Sequence, residues 1–219
     1  MRKAPIVTNE IYHVFNRGVN KADIFLSDED YSQFLEAAIH YKNKNNKFSY
    51  QKRTNSSDHD PVSLQPEQGK VEVMAYCLMP NHFHLLLKQL IDGGLTSYFR
   101  HLANSYSHYI NIKYQRSGPL FGGRFKSVLI ESDEQLLHVS RYIHLNPLVS
   151  KIVSDLKRYK WSSYLGYVTN NIDNLANSER ILTYFKSLKD YERFVHDQEA
   201  YGRELEKIKH LTYDHDTGS

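Results

Sequence analysis

One cysteine, Cys77, stands in a chain of 219 residues. An intrachain disulfide and a cysteine-based zinc site are thereby excluded. A single thiol in a strand-like apolar stretch fits a reducing compartment, so a cytoplasmic location is expected. Long apolar runs are also missing. Met1-Arg2-Lys3-Ala4-Pro5 leads into polar sequence, so neither a signal peptide nor a membrane span is expected. Strong charge of one sign is missing as well: the net charge is +3 with His neutral. That balance permits contact with a polyanion without demanding it. There is no internal repeat and no second core-sized segment. Tyrosine, by contrast, is plentiful at 17 residues. It serves sheet surfaces, base stacking and, at times, nucleophilic attack.

Taken in order, Ile11 to Asn16 alternates apolar and polar and then meets Arg17-Gly18, which predicts a strand ended by a glycine turn. Ser27-Asp28-Glu29-Asp30 caps a helix running to about Lys42, with Tyr31, Phe34, Leu35, Ala38 and Ile39 at helical spacing. Residues 44–70 lose all pattern and read as a mobile insertion, with Phe48 and Tyr50 prolonging the helix or pairing locally. Val71 to Leu78 and His82 to Lys88 predict an antiparallel pair around Pro80-Asn81. A long amphipathic helix follows from Leu95 to about Tyr114, then a fourth strand over Lys126 to Ile130. Ser132 caps a further helix, which Pro147 is expected to limit. Leu156 to Tyr167 reads as irregular chain packed by Trp161, and Ser178 as the cap of a last helical region through about Gln198. The order predicts an α+β, ferredoxin-like β-α-β-β-α-β sandwich: one antiparallel sheet, helices on one face, the first and third strands central, and additional C-terminal helices. Residues 1–170 form the main domain, and 171–219 a helical extension ending in a loose tail.

Met79-Pro80-Asn81-His82-Phe83-His84 carries the first chemical signal. On a strand, His82 and His84 share a face and Phe83 takes the other. Two imidazoles side by side are either metal ligands or ordinary polar residues at a strand start. Further on, Tyr142 and Asn146 lie four apart in a predicted helix and share its face. The amide oxygen of Asn146 is of a kind that could complete a site begun by His82 and His84. Such a set suits Mn²⁺ and tolerates Mg²⁺. Beside a polarised phosphate, a tyrosine oxygen is a nucleophile; without that context Tyr142 is a packed helix tyrosine.

Several blocks in the same order give that context. They are Tyr12 to Gly18, Tyr76 to Leu86, Gly118-Pro119-Leu120-Phe121-Gly122-Gly123-Arg124-Phe125-Lys126-Ser127, Arg141-Tyr142-Ile143-His144-Leu145-Asn146-Pro147, and Trp161-Ser162-Ser163-Tyr164. Together they resemble the single-tyrosine HUH transposases, in the branch of REP-associated tyrosine transposases. The resemblance implies that His82 and His84 are metal ligands, Asn146 the third, and Tyr142 the nucleophile. It implies cleavage of single-stranded, stem-loop DNA through a 5′-phosphotyrosine link, with Mg²⁺ or Mn²⁺ as cofactor. Relatives often have glutamine before the Arg-Phe; glycine stands there in this chain, which removes an amide contact at Gly122. The resemblance allows a monomer or a homodimer, and Ser150 to Lys160 with the C-terminal helix is available to hold the tyrosine helix in cis.

Arg17, Arg100, Arg124 and Lys126, with Lys21 and Arg116, are interleaved with aromatics as a DNA surface would be. The alternative for each is a solvated surface charge. His13 either faces the metal or packs. His101, His108 and His144 read as helix-surface residues, and Tyr106, Tyr109 and Tyr114 as packing. Two other functions share these residues: a non-catalytic hairpin-binding module, and a replication-initiator or relaxase-type HUH nuclease. The intact His82, His84, Tyr142 and Asn146 argue against the first. The tyrosine follows the histidines by about sixty residues, whereas relaxases generally place it before them.

Overall fold

The computed structural model describes residues 5–43, 69–169 and 171–197. Most of the expected insertion, the terminal tail and the positions of Phe48 and Tyr50 lie outside them.

Four strands form one antiparallel sheet: β1 (Ile11–Arg17), β2 (Val71–Met79), β3 (His82–Gln89) and β4 (Lys126–Leu129). Their spatial order is β2-β3-β1-β4, with β1 and β3 central as expected. The chain leaves β1 through Gly18, where a Cβ would stand 2.0 Å from the Ala22 carbonyl oxygen, so only glycine allows this turn.

Helices α1 (Asp28–Asn43) and α2 (Gly94–Lys113) cover one face of the sheet. Phe34, Phe83, Phe99, Tyr98 and Tyr106 fill the core between them. Each such ring, fully buried, contributes about 2–3 kcal/mol before entropic costs. Asp30 clips the two helices together. Its carboxylate accepts from Leu26 N, Ser27 N, Lys113 Nζ at 2.7 Å and the Tyr114 hydroxyl at 2.8 Å. Burial alone would raise this carboxyl; the bonds from Lys113 and Tyr114 outweigh it and hold it below its ordinary value.

The two helices of the β-α-β-β-α-β unit thus share one face as expected, and the other face is covered by the helices that follow it. Helix α3 (Asp133–Val149) lies there with α4 (Tyr164–Val168), α5 (Glu179–Leu182) and α6 (Leu188–His196). The reason is in the strands. Ile11, Cys77, Met79 and Leu86 project to that side and need cover. A bulge at Met74 shifts the β2 register, so Val71 and Val73 face α1 and α2 but Ala75 and Cys77 face α3.

Two helix boundaries also differ from expectation. Pro147 does not stop α3, which runs on to Val149. In the last turn its missing N–H forfeits one bond only, and Ser150 N still reaches Asn146 O at 2.9 Å. Ser178 does not open one long helix. The segment breaks into α5 and α6, and Ser187 is the residue whose side chain caps α6.

The outer edge of β2 is covered by the Trp161 segment. Leu78 N donates to Trp161 O, Ser163 N donates to Tyr76 O, and Ser162 bridges to Cys77. Trp161 itself stacks on Tyr31 at 4.6 Å. Among the described residues no helix is long and apolar enough to cross a membrane.

Candidate functional site

The pleat of β3 sends Phe83 into the α1/α2 core and His82 and His84 to the opposite face. Their rings are perpendicular, with centroids 5.0 Å apart. His84 is only 6% exposed. Each Nδ1 is held by a neighbour. Asn81 Oδ1 lies 2.6 Å from His82 Nδ1 and accepts its hydrogen. His13 Nε2 lies 3.0 Å from His84 Nδ1, across the β1–β3 ladder. With both Nδ1 atoms engaged, Nε2 is the nitrogen suited to a metal in each ring, the usual arrangement of a ligating histidine with its orienting partner.

Tyr142 comes from α3. Its ring stands edge-on to His84 at 5.4 Å and to His13 at 5.9 Å. Asn146, one turn on, is almost fully buried and donates its amide N–H to the Tyr142 carbonyl at 2.7 Å. Its Oδ1 is the atom of the right kind for a hard cation. Among the described residues no group of three His, Cys, Asp or Glu side chains is arranged for a metal. Two imidazoles and an amide oxygen are a donor set of the kind that suits Mn²⁺ or Mg²⁺ when water or phosphate oxygens fill the remaining positions.

Register sorts the expected DNA contacts. Arg17 pairs with His82, and Phe15 pairs with both His84 and Lys126. Directly paired residues share a face, so Arg17, Phe15, Lys126 and the histidines lie on one side of the sheet. Arg17, Lys126 and Val128 are exposed there, because the buried α3 packing lies over β2 and β3 while β4 is the edge strand. Arg124 is exposed in the turn entering β4. Arg100 is not brought to this site. It lies on α2, across the sheet, and its charge acts on His101 together with that of Lys70, which precedes β2 at the opposite end of β3 from His82. Tyr106, Tyr109 and Tyr114 also lie across the sheet; Tyr106 donates to Ile24 O, while Tyr109 and Tyr114 bond Asp30.

His144 corrects the helix-surface expectation. It is fully buried, and burial pushes its pKa down to about 3, so it is neutral. Two residues beyond Tyr142 on a helix is a turn of about 200°, so the two side chains leave α3 on opposite sides. Asn81 was the residue that sequence reasoning passed over; the signal was an amide side chain immediately before the first histidine.

Residues 62–146 match the family model described as "Transposase IS200 like". That span includes His82, His84 and Tyr142 and ends on Asn146. No curated protein matches the sequence. A solved structure, a REP-associated tyrosine transposase bound to a REP hairpin, is similar with a TM-score of 0.55 at 18% identity; the match covers 81% of this chain and 90% of that one.

Proposed function

We propose that this chain, whose resemblance to the single-tyrosine HUH transposases holds in sequence over residues 62–146 and in fold across 81% of its length, is a metal-dependent endonuclease and strand transferase for single-stranded DNA bearing a stem-loop. The observation that carries the reading is the convergence of three side chains on one sheet face. His82 and His84 stand 5.0 Å apart, and the Tyr142 ring is 5.4 Å from His84.

His82 and His84 through Nε2, with Asn146 through Oδ1, would hold Mg²⁺ or Mn²⁺. When bound, such a cation supplies Lewis-acid polarisation of a scissile phosphate. Tyr142 supplies the attacking oxygen. A bond forms from the phenolic oxygen to phosphorus, and the bond from phosphorus to the 3′ oxygen breaks. The phenol gives up its proton and the 3′ oxygen leaves as a hydroxyl. The product is a 5′-phosphotyrosine and a free 3′-hydroxyl. One phosphodiester has replaced another, so a 3′-hydroxyl can attack the tyrosine link and rejoin strands without ATP. Arg17, Lys126 and Arg124 supply cations for the backbone, and Phe15 and Val128 an apolar surface for bases. A stem-loop is favoured as substrate because the similar transposase structure holds a hairpin.

The test is incubation with a labelled hairpin oligonucleotide and Mg²⁺ or Mn²⁺, resolved on a denaturing gel. A slowly migrating covalent species is expected, absent with EDTA and absent in Tyr142→Phe. No adduct from the wild-type chain, or an equal adduct from the variant, overturns the reading.

A further inference from the structure

The strand-transferase reading needs Tyr142 at a fixed height above the histidine pair, yet the tyrosine and the pair sit on separate elements. A run of hydrogen bonds joins the tyrosine helix to β2, the strand paired with β3, through a buried histidine that the chemistry does not use. His144 bonds at both ring nitrogens. Its Nε2 lies 2.8 Å from Ser163 Oγ, and its Nδ1 lies 2.7 Å from the Tyr191 hydroxyl. The ring is boxed by Tyr167 at 4.7 Å, Tyr164 at 5.7 Å and Tyr191 at 5.8 Å, all edge-on.

Ser163 carries the connection to the sheet. Its Oγ accepts from Tyr76 N at 2.9 Å in β2. Tyr76 adjoins Cys77, and Cys77 is the cross-strand partner of His84. Tyr191 carries it back to α3: its hydroxyl donates to Ser140 Oγ at 3.3 Å, and Ser140 donates to Leu137 O at 2.8 Å. Ser163 Oγ also lies 3.3 Å from Tyr76 O, its acceptor when the hydrogen of His144 is on Nε2; with that hydrogen on Nδ1, every donor in the chain points one way. The Tyr76 N–H donates to Ser163, Ser163 to His144, His144 to Tyr191, Tyr191 to Ser140, and Ser140 to the helix carbonyl. Each hydroxyl donates once and accepts once, which leaves no buried polar group of the set unsatisfied.

We infer that His144, Ser163 and Tyr191 are positioning residues for Tyr142: they fix the rotation of α3 about its axis and its spacing from β2, and so the reach of the phenolic oxygen toward the site held by β3. The inference rests on the strand-transferase reading. A helix free to turn by a fraction of its circumference moves a residue on its far side by an ångström or more, and displacements of that size cost about 100-fold in rate. Stability alone does not require this arrangement, since the same space filled by apolar side chains would hold the helix without defining one rotation.

Tyr191→Phe and Ser163→Ala remove one oxygen each and keep the packing. The test measures three quantities for each variant: hairpin affinity, the single-turnover rate of adduct formation at saturating hairpin with Mn²⁺, and backbone hydrogen exchange across α3. The expected result is hairpin affinity within twofold of wild type, an adduct rate lower by about 10- to 100-fold, and faster exchange confined to α3 and α6. Tyr191→Phe combined with Ser163→Ala is expected to cost little more than the worse single variant, because one chain is broken in either case. Unchanged rates with unchanged exchange overturn the inference. So does a rate that falls only in step with hairpin affinity. A wild-type chain that forms no adduct overturns the strand-transferase reading instead; the exchange arm then still decides whether these residues pin α3.

Discussion

Asn81 and His13 each hold the Nδ1 atom of one histidine of the pair, at 2.6 Å and 3.0 Å. Partners of this kind set ring orientation and basicity, and their removal typically costs about ten- to a hundredfold in metal affinity or activity. Asn81→Ala and His13→Ala are accordingly expected to raise the Mn²⁺ concentration for half-maximal cleavage about tenfold, with hairpin binding in EDTA unchanged. A metal titration of cleavage checks this, and an unaltered midpoint in both variants would remove the orienting role. The pair itself was readable from the sequence because a strand has period 2: once β3 was assigned, His82 and His84 had to share a face. Tyr142 and Asn146 were readable for the matching reason on a helix. His144 was not, because its burial depends on Tyr191, which lies 47 residues further along the chain. Nothing local to Tyr142-Ile143-His144 announces that partner.

At the scale of elements, pairing register decides which cations lie on the histidine face. β1 and β4 bring Arg17 and Lys126 to the histidine face, whereas α2 carries Arg100 to the other side of the sheet. Arg17→Ala and Lys126→Ala should each weaken hairpin binding. Each should also reduce the slope of log affinity against log salt by about 0.7 for every single-strand phosphate that is no longer neutralised. Arg100→Ala should change neither. Binding titrations across a salt series distinguish the three, and a slope that falls equally for Arg100→Ala would contradict the assignment of faces. Sequence alone grouped these residues by composition, which is blind to sheet faces. The same limit explains α3. The propensity rule for Pro147 was sound, but a proline in the last turn has one bond to lose, and the turn after it is held by Ser150 and Ile152 bonding back to Asn146 and Pro147.

At the scale of the molecule, the ferredoxin-like sheet was legible from element order, while the second core was not. Ile181, Tyr191 and Val195 of the C-terminal segment share a buried cluster with Leu136, Ile143 and Leu148 of α3. Arg141 adds to the clasp, its guanidinium 4.2 Å over the Phe194 ring and bonded to Phe194 O. With α3 held this way the Tyr142 ring lies 5.4 Å from that of His84, and a site assembled within one chain is expected. Mixing Tyr142→Phe with His82→Ala is expected to leave cleavage absent, since neither protein assembles a whole site; recovered cleavage would mean that the tyrosine helix is exchanged between copies.

In the proposed reaction the Tyr142 oxygen becomes joined to the DNA. Trypsin digestion of the trapped adduct, followed by nuclease trimming and mass spectrometry, reads the attachment point directly. One modified peptide is expected, containing Tyr142 and carrying a 5′-linked nucleotide. Attachment at any other of the chain's tyrosines, or recovery of the Tyr142 peptide unmodified from a chain that has cut its hairpin, would contradict it.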